Sequence, residues 1–247
     1  MRYREHAPSA ELGDIVACTW ERRVPAGRAT PAAAILPDGC VDLIWRGSEL
    51  IVAGPDRRPL SSPVPTEDTV VGARLLPGAA GAILGLPASE LRDLRIPLSE
   101  VWRERGSELE QRLGLAGTPE QRRRLLEGAV EARRARAPEP DRLVLAAARV
   151  LGLPRARVGA LGDVLGISDR QLRRRFADAV GYGPKLLDRV LRFQRFLSVV
   201  PRLASGDEAL ARAAAGLGYA DQAHLSRECL RLAGLSPARL IAQRGPG

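Results

Sequence analysis

Two short segments near the end of the chain hold side chains suited to recognition. Arg170, Arg173, Arg174 and Arg175 fall in one run, and Gln222, Ala223, His224 and Arg227 in another. At helical spacing Leu172, Phe176 and Val180 form an inward stripe, Arg170 and Arg174 lie on the opposite side, and Arg173 falls between. In the second segment Leu225, Cys229 and Leu232 turn inward, Ala223, Arg227 and Arg231 outward, and Gln222 and His224 stand near the exposed N-terminal end. An arginine fork can pair two acceptors on guanine and a glutamine amide can pair adenine. Such a run in isolation is also what a solvated helix face looks like, so its setting has to decide.

That setting is an internal repeat. Residues 172–187 align without gaps to 225–240 at an offset of 53, matching Leu172 with Leu225, Arg174 with Arg227, Gly181 with Gly234, Pro184 with Pro237 and Leu187 with Leu240. Upstream the offset is 52, and Leu165-Gly166 aligns with Leu217-Gly218. Each copy reads as helix, glycine-containing turn, second helix, then Gly and Pro leading into another helix, the layout of a helix-turn-helix. Ser168 and Asp221 are the expected N-caps of the two second helices. Between the copies the pattern predicts a helix from Pro184 to about Val200, roughly 17 residues and about 25 Å long. With the bodies of the two units added, the exposed helices approach the separation of about 34 Å between successive major-groove faces.

Charge is divided unevenly along the chain. Residues 1–140 hold 20 basic and 20 acidic side chains, whereas residues 141–247 hold 18 basic and 9 acidic, so the net charge of +9 belongs to the C-terminal part. A localised positive field attracts a polyanion, and an arginine-rich codon bias would have acted on both parts alike. Of the 38 basic residues only Lys185 is a lysine, a usage expected of a GC-rich bacterial genome. No apolar run approaches the roughly 20 residues of a membrane span, and the first ten residues lack the apolar stretch of a secretory signal, so the expectation is a cytoplasmic protein with no membrane partner.

The N-terminal part reads as β-rich. Residues 15–24, 32–36, 41–46, 49–53 and 69–76 are short apolar or alternating runs, divided by turns such as Pro37-Asp38-Gly39 and Arg46-Gly47-Ser48, and suggest a small barrel or sandwich. Residues 79–84 fit a strand or a helix. Short helices are expected to start at Pro87 and Pro97. Thr118-Pro119-Glu120-Gln121 is the start of a longer helix to about Ala135, whose stripe of Leu125, Leu126, Ala129 and Val130 packs on its own domain or on a second subunit. Two prolines among charges in 136–141 mark a boundary. The expectation is an α+β two-domain chain: a β-rich N-terminal sensor-like domain with flanking helices over residues 1–135, a linker over 136–141, and an all-α domain over 142–247 with two helix-turn-helix units joined by a linker helix.

The segment from about Leu143 to Arg244 resembles the DNA-binding domain of the AraC family of bacterial transcription regulators. The resemblance rests on Leu165, Gly166, Ser168, Arg170, Leu172, Arg174 and Phe176, then Gly181 and Pro184, then Gly218-Tyr219-Ala220-Asp221-Gln222 with Leu225, Arg227, Gly234, Ser236 and Pro237. It implies contacts to double-stranded DNA by Arg170, Arg173 and Arg174 from the first unit and by Gln222, Ala223, His224 and Arg227 from the second. It implies also a regulator, activator or repressor, that engages RNA polymerase. Where the family usually carries an aromatic this chain has Cys229, and Ala223 offers no hydrogen bond, so the second unit is expected to be looser or less specific. Pro37-Asp38-Gly39-Cys40 to Ile44 and Gly72-Ala73-Arg74 to Ala80 weakly resemble sensor domains of AraC-like regulators, which implies a small-molecule effector or a homodimer.

Other chemistry is thinly represented. His224 has only His6 as a fellow histidine and no carboxylate at ligand spacing, which favours a DNA contact over catalysis. Cys18, Cys40 and Cys229 lack the spacing of a metal site or disulfide framework, and neither metal nor cofactor is expected. Cys40 reads as a buried small residue or, alternatively, as the acceptor thiol of a DNA-repair protein with an AraC-like targeting domain. A protein-interaction module with a basic face is a further alternative. Trp20, Trp45 and Trp102 serve the core or line an effector pocket. Arg192, Arg195 and Arg212 either touch phosphate or keep their helices soluble. No phosphate loop or nucleophile elbow appears, so the chain is not expected to be an enzyme.

Overall fold

The computed structural model describes residues 2–23, 33–62, 69–154, 156 and 158–244. Its N-terminal domain is built on strands β1 (Arg2–His6), β2 (Val16–Arg23), β3 (Ala33–Ile35), β4 (Val41–Arg46), β5 (Glu49–Ala53), β6 (Leu60–Ser62), β7 (Thr69–Leu75) and β8 (Arg95–Pro97). Six form one antiparallel sheet in the order β1-β2-β7-β4-β5-β8, and β3 pairs with β6 as a separate ribbon. In β4 alternate residues Val41, Leu43 and Trp45 enter the main core, as a two-residue side-chain period requires. A bulge between Val16 and Cys18 breaks that period in β2. It sends Val16 to the main core but Cys18 and Trp20 to the other face, where they meet Val70 and Ile44. There the Trp20 ring lies over Gly72, its cross-strand partner, and its Nε1 donates to Asp42 Oδ1 at 3.0 Å.

Four helices cover the main-core face. They are α1 (Ala80–Leu84), α2 (Leu98–Trp102), α3 (Glu104–Leu115) and α4 (Pro119–Arg134), with a 3-10 turn at Ala88–Leu91. The capping box expected at Thr118 is present, with Gln121 N donating to Thr118 Oγ1 at 3.2 Å and the Gln121 side chain accepting from the Thr118 amide. Leu126 and Val130 of α4 are fully buried against the sheet, so that stripe serves its own domain. Of residues 79–84, Ala80 to Leu84 are helical, with Ala79 as the N-cap. Strands β1, β6 and β8 are additions to the sequence reading: β1 is highly charged and β6 and β8 have three residues each, so all three owe their form to a partner strand. The predicted strand ends at Val24 and Ala32 lie outside the described residues.

The C-terminal domain consists of α5 (Arg142–Gly152), α6 (Leu161–Leu165), α7 (Asp169–Val180), α8 (Pro184–Ala204), α9 (Leu210–Gly216), α10 (Gln222–Ala233) and α11 (Pro237–Arg244). The helix pairs α6–α7 and α9–α10 are the two repeat units. Each turn contains a glycine that must adopt positive φ, Gly166 at 64° and Gly218 at 81°, a conformation that side chains disfavour. Each second helix closes on another left-handed glycine, Gly181 or Gly234, whose amide returns to the carbonyl of Ala177 or Leu230. Helix α8 has 21 residues, about 31 Å, and so exceeds the expected rod. It runs through Pro201, whose missing amide removes one intrahelical bond three residues before the helix ends.

The two domains touch along α7 and α8. The backbone of Gly81 in α1 lies so close to the Asp178 carbonyl that a Cβ on that glycine would sit 2.6 Å from it. Gly181 faces Pro55 and Ala88 in the same way, Leu187 lies over Gly39, and Gln194 Nε2 donates to the Pro37 carbonyl at 2.5 Å.

Two glycines provide opposite tests of this packing. A Cβ at Gly72 would stand 2.4 Å from the Trp20 ring, so Gly72→Ala should cost about 1 to 3 kcal/mol in urea unfolding. Gly128 in α4 is exposed with nothing within 4 Å of an added Cβ, so Gly128→Ala should instead raise stability by about 0.5 to 1 kcal/mol.

Candidate nucleic-acid interface

Each repeat unit has a core of its own, and both cores use α8. The first gathers Val144, Ala147 and Leu151 of α5, Leu172, Phe176 and Val180 of α7, and Leu187 at the start of α8. The second gathers Val190, Phe193, Phe196 and Val200 of α8 with Leu225, Cys229 and Leu232 of α10. Burial of Leu172, Phe176 and Val180 turns the opposite side of α7 outward, and burial of Leu225, Cys229 and Leu232 does the same for α10. In the second unit Cys229 is fully buried, its thiol pushed up to about 12 by burial and by Glu228.

Charged tie rods hold these parts together. Buried Glu228 in α10 accepts from Arg189 Nε at 2.7 Å and from Arg231 Nη1 at 3.2 Å. Arg192 pairs with buried Asp188, donates to the Gly218 carbonyl at 3.0 Å, and lies 5.4 Å over the Tyr219 ring. Arg195 Nη1 reaches the carbonyls of Leu151, Gly152 and Leu153 at 3.0, 2.7 and 2.8 Å, closing the C-terminal end of α5. Arg192 and Arg195 therefore tie the protein's own frame together. Arg212 is exposed.

Of the residues singled out in the first unit, Arg170, Arg173 and Arg174 are all exposed on α7. Arg173 makes a 3.4 Å pair with Asp169 one turn back, and among the described residues Arg170 and Arg174 have no acidic partner. Arg175, the fourth of the run, turns away to Asp141 at 3.5 Å, the residue that caps α5. The Ser168 cap is reinforced by Gln171, whose Oε1 accepts from the Ser168 amide at 3.1 Å. That Ser-x-x-Gln spacing is a capping-box signal, visible in the sequence once the helix start is known.

In the second unit Gln222, Ala223 and Arg227 are exposed on α10. His224 is only half exposed. Its Nδ1 accepts from the Ala220 amide at 3.3 Å and its ring stands edge-on to Tyr219 at 5.4 Å. The ring proton is thereby assigned to Nε2, the one nitrogen left to meet a partner.

Cys40 is held in the Asp38-Gly39-Cys40 turn, its amide donating to Asp38 Oδ1 at 2.9 Å. Burial and the Asp38 carboxylate push its thiol well above the ordinary range, which disfavours the thiolate. Among the described residues no group of His, Cys, Asp and Glu could hold a metal, and no helix is long and apolar enough to cross a membrane. Trp45 is buried in the main core, and Trp102 packs partly buried against it.

Residues 161–243 match the family described as a helix-turn-helix domain. The C-terminal domain is a helix-turn-helix domain, with the helix pairs α6–α7 and α9–α10 as its two units. Residues 4–97 match a domain family of unknown function, DUF6597. No curated protein sequence matches the chain. Among solved structures, an apo form of ToxT from Vibrio cholerae aligns over 91% of this chain and 96% of its own at 10% identity and a TM-score of 0.46. A 1.65 Å structure of ToxT from Vibrio cholerae aligns over 98% of both chains at 10% identity, also at 0.46. ToxT from Vibrio cholerae bound to (E)-4-(8-methylnaphthalen-1-yl)but-3-enoic acid aligns over 99% of this chain and 100% of its own at 10% identity and 0.44. Likeness at this level transfers no ligand or residue role.

The internal tie rods of the helix-turn-helix domain separate from its outward arginines by experiment. Arg195→Ala removes three charge-assisted bonds, so chemical denaturation should show a loss of at least about 1.5 to 3 kcal/mol. The base preference of the folded variant should stay as it was.

Proposed function

We propose that this DNA-binding transcription regulator reads a specific, asymmetric DNA site with both of its helix-turn-helix units at once. Arg170, Arg173 and Arg174 of α7 and Gln222, Ala223, His224 and Arg227 of α10 form the DNA-contacting surface, with Arg173 at its edge. The observation that carries this reading is the matched pair of outward faces braced on a single helix, α8. Arg170 and Arg174 have no acidic partner among the described residues, and neither has Arg227, so their guanidinium forks are available to guanine edges. Ala223 supplies an apolar contact suited to a thymine methyl, and His224 supplies its Nε2 proton.

The N-terminal domain, taken as residues 1–135 with 136–141 as linker, sets the posture of those helices. Support for this comes from its seat on both α7 and α8. A small effector or a second copy of the chain that favours one arrangement of this seat would change DNA affinity by its differential binding. The setting for this activity is the cytoplasm, with RNA polymerase as the downstream partner.

Selection of bound sequences from a random duplex pool tests the reading. Arg174→Ala and Arg227→Ala should each cost about 1 to 3 kcal/mol at one base pair and relax the preference there. Equal losses on every sequence would reduce those arginines to phosphate contacts and overturn the assignment.

A further inference from the structure

The first recognition helix does not stand clear of the N-terminal domain. Between them lies a cleft with about 400 Å³ of space, walled by Arg57 and Arg92 on one side and by Asp169, Arg173 and Lys185 on the other. Its charges do not cancel. Arg173 is answered by Asp169 at 3.4 Å and Arg57 by Asp93 at 2.7 Å, while Arg92 and Lys185 have no acidic partner among the described residues. Lys185 is also the sole lysine of the chain.

A second source of positive potential opens on the same space. Gly183, Pro184 and Lys185 line the cleft, and they are the N-terminal end of the 21-residue helix α8. Gly183 provides no side-chain cap, so the helix dipole and the free amide of Lys185 meet the cleft directly. Two uncompensated cations and an open helix N-terminus make this a seat for an anion.

The placement of Arg173 says which anion. Successive residues of an α-helix are about 100° apart, so Arg173 lies on the flank of α7 between the outward face of Arg170 and Arg174 and the buried stripe. When such a helix enters a major groove, its outward face meets bases and its flanks pass the phosphate rows. The cleft lies along that flank. We propose that it holds a backbone phosphate of the DNA read by α7, with Arg92 of the N-terminal domain and Lys185 as the principal contacts. The N-terminal domain is then part of the DNA interface, and any shift of its seat on α7 removes a phosphate contact directly. This rests on the DNA reading above and adds a domain to it.

Fluorescence anisotropy of the full chain on a selected site and on mixed-sequence duplex, across a salt series, tests the proposal. Arg92→Ala should weaken both complexes by the same factor, about tenfold. It should also lower the slope of log affinity against log salt by about 0.9. Arg92→Ala with Lys185→Ala should lower the slope by about twice that, and Arg92→Lys should restore the single loss. Arg105→Ala, which removes an exposed arginine from α3, should leave the slope unchanged. An Arg92→Ala variant indistinguishable from Arg105→Ala, or a loss confined to one sequence, overturns the proposal. So does a thermal shift by inorganic phosphate that Arg92→Ala abolishes while DNA affinity stays intact, since the cleft would then belong to a free anion. A normal Arg174→Ala phenotype beside a silent Arg92→Ala sinks this inference alone, whereas silence in both sinks the DNA reading.

Discussion

The whole C-terminal domain depends on α8, which serves the first core chiefly near its start and the second along most of its length, with Leu186 packed against both. Leu187 closes the first core near the start of the helix, and Val190 to Val200 close the second. Apolar packing alone would allow each unit to roll about the rod. The arginines at 189, 192 and 195 oppose this, each reaching a different neighbour: Glu228 in α10, the Gly218 turn before α10, and the end of α5. Because Glu228 and Asp188 are buried, removing either partner would strand a charge in a poor solvent, and the pairs therefore hold orientation more than they add net stability.

The same rod carries the connection to the N-terminal domain. Leu187 and Gln194 face the Pro37-Asp38-Gly39 turn, while the end of α7 meets α1 and the 3-10 turn at Ala88–Leu91. The contacts with Asp178 and around Gly181 run backbone to backbone or backbone to ring, and they leave no room for a side chain to adapt. An interface of this kind transmits displacement rather than absorbing it, because close-packed surfaces have low compressibility. Small rearrangements in the sheet domain thus have a short mechanical route to α7.

Much of this was legible in local sequence. The strands over 41–46 and 49–53 coincide with β4 and β5, and Thr118, Ser168 and Asp221 cap the helices assigned to them. Those features depend on residues within a few positions of one another, so pattern and capping chemistry suffice. Strands β1, β6 and β8 escaped because they are short or charged and exist only by pairing. The roles of Arg192 and Arg195 escaped for a related reason, since an arginine on a helix face looks the same whether its fork meets a carbonyl, a carboxylate or water.

Periodicity and turn chemistry, being local, by themselves determined that this chain has two helix-turn-helix units with arginine-bearing faces behind a β-rich domain. Only the tertiary structure decided which arginines remain free. Arg195 finds its carbonyls 42 to 44 residues away and Arg189 finds Glu228 39 residues away, while Arg170, Arg174 and Arg227 find no acid among the described residues. A charge is available for recognition when folding leaves it uncompensated, and that is a property of the three-dimensional neighbourhood that no spacing along the chain encodes.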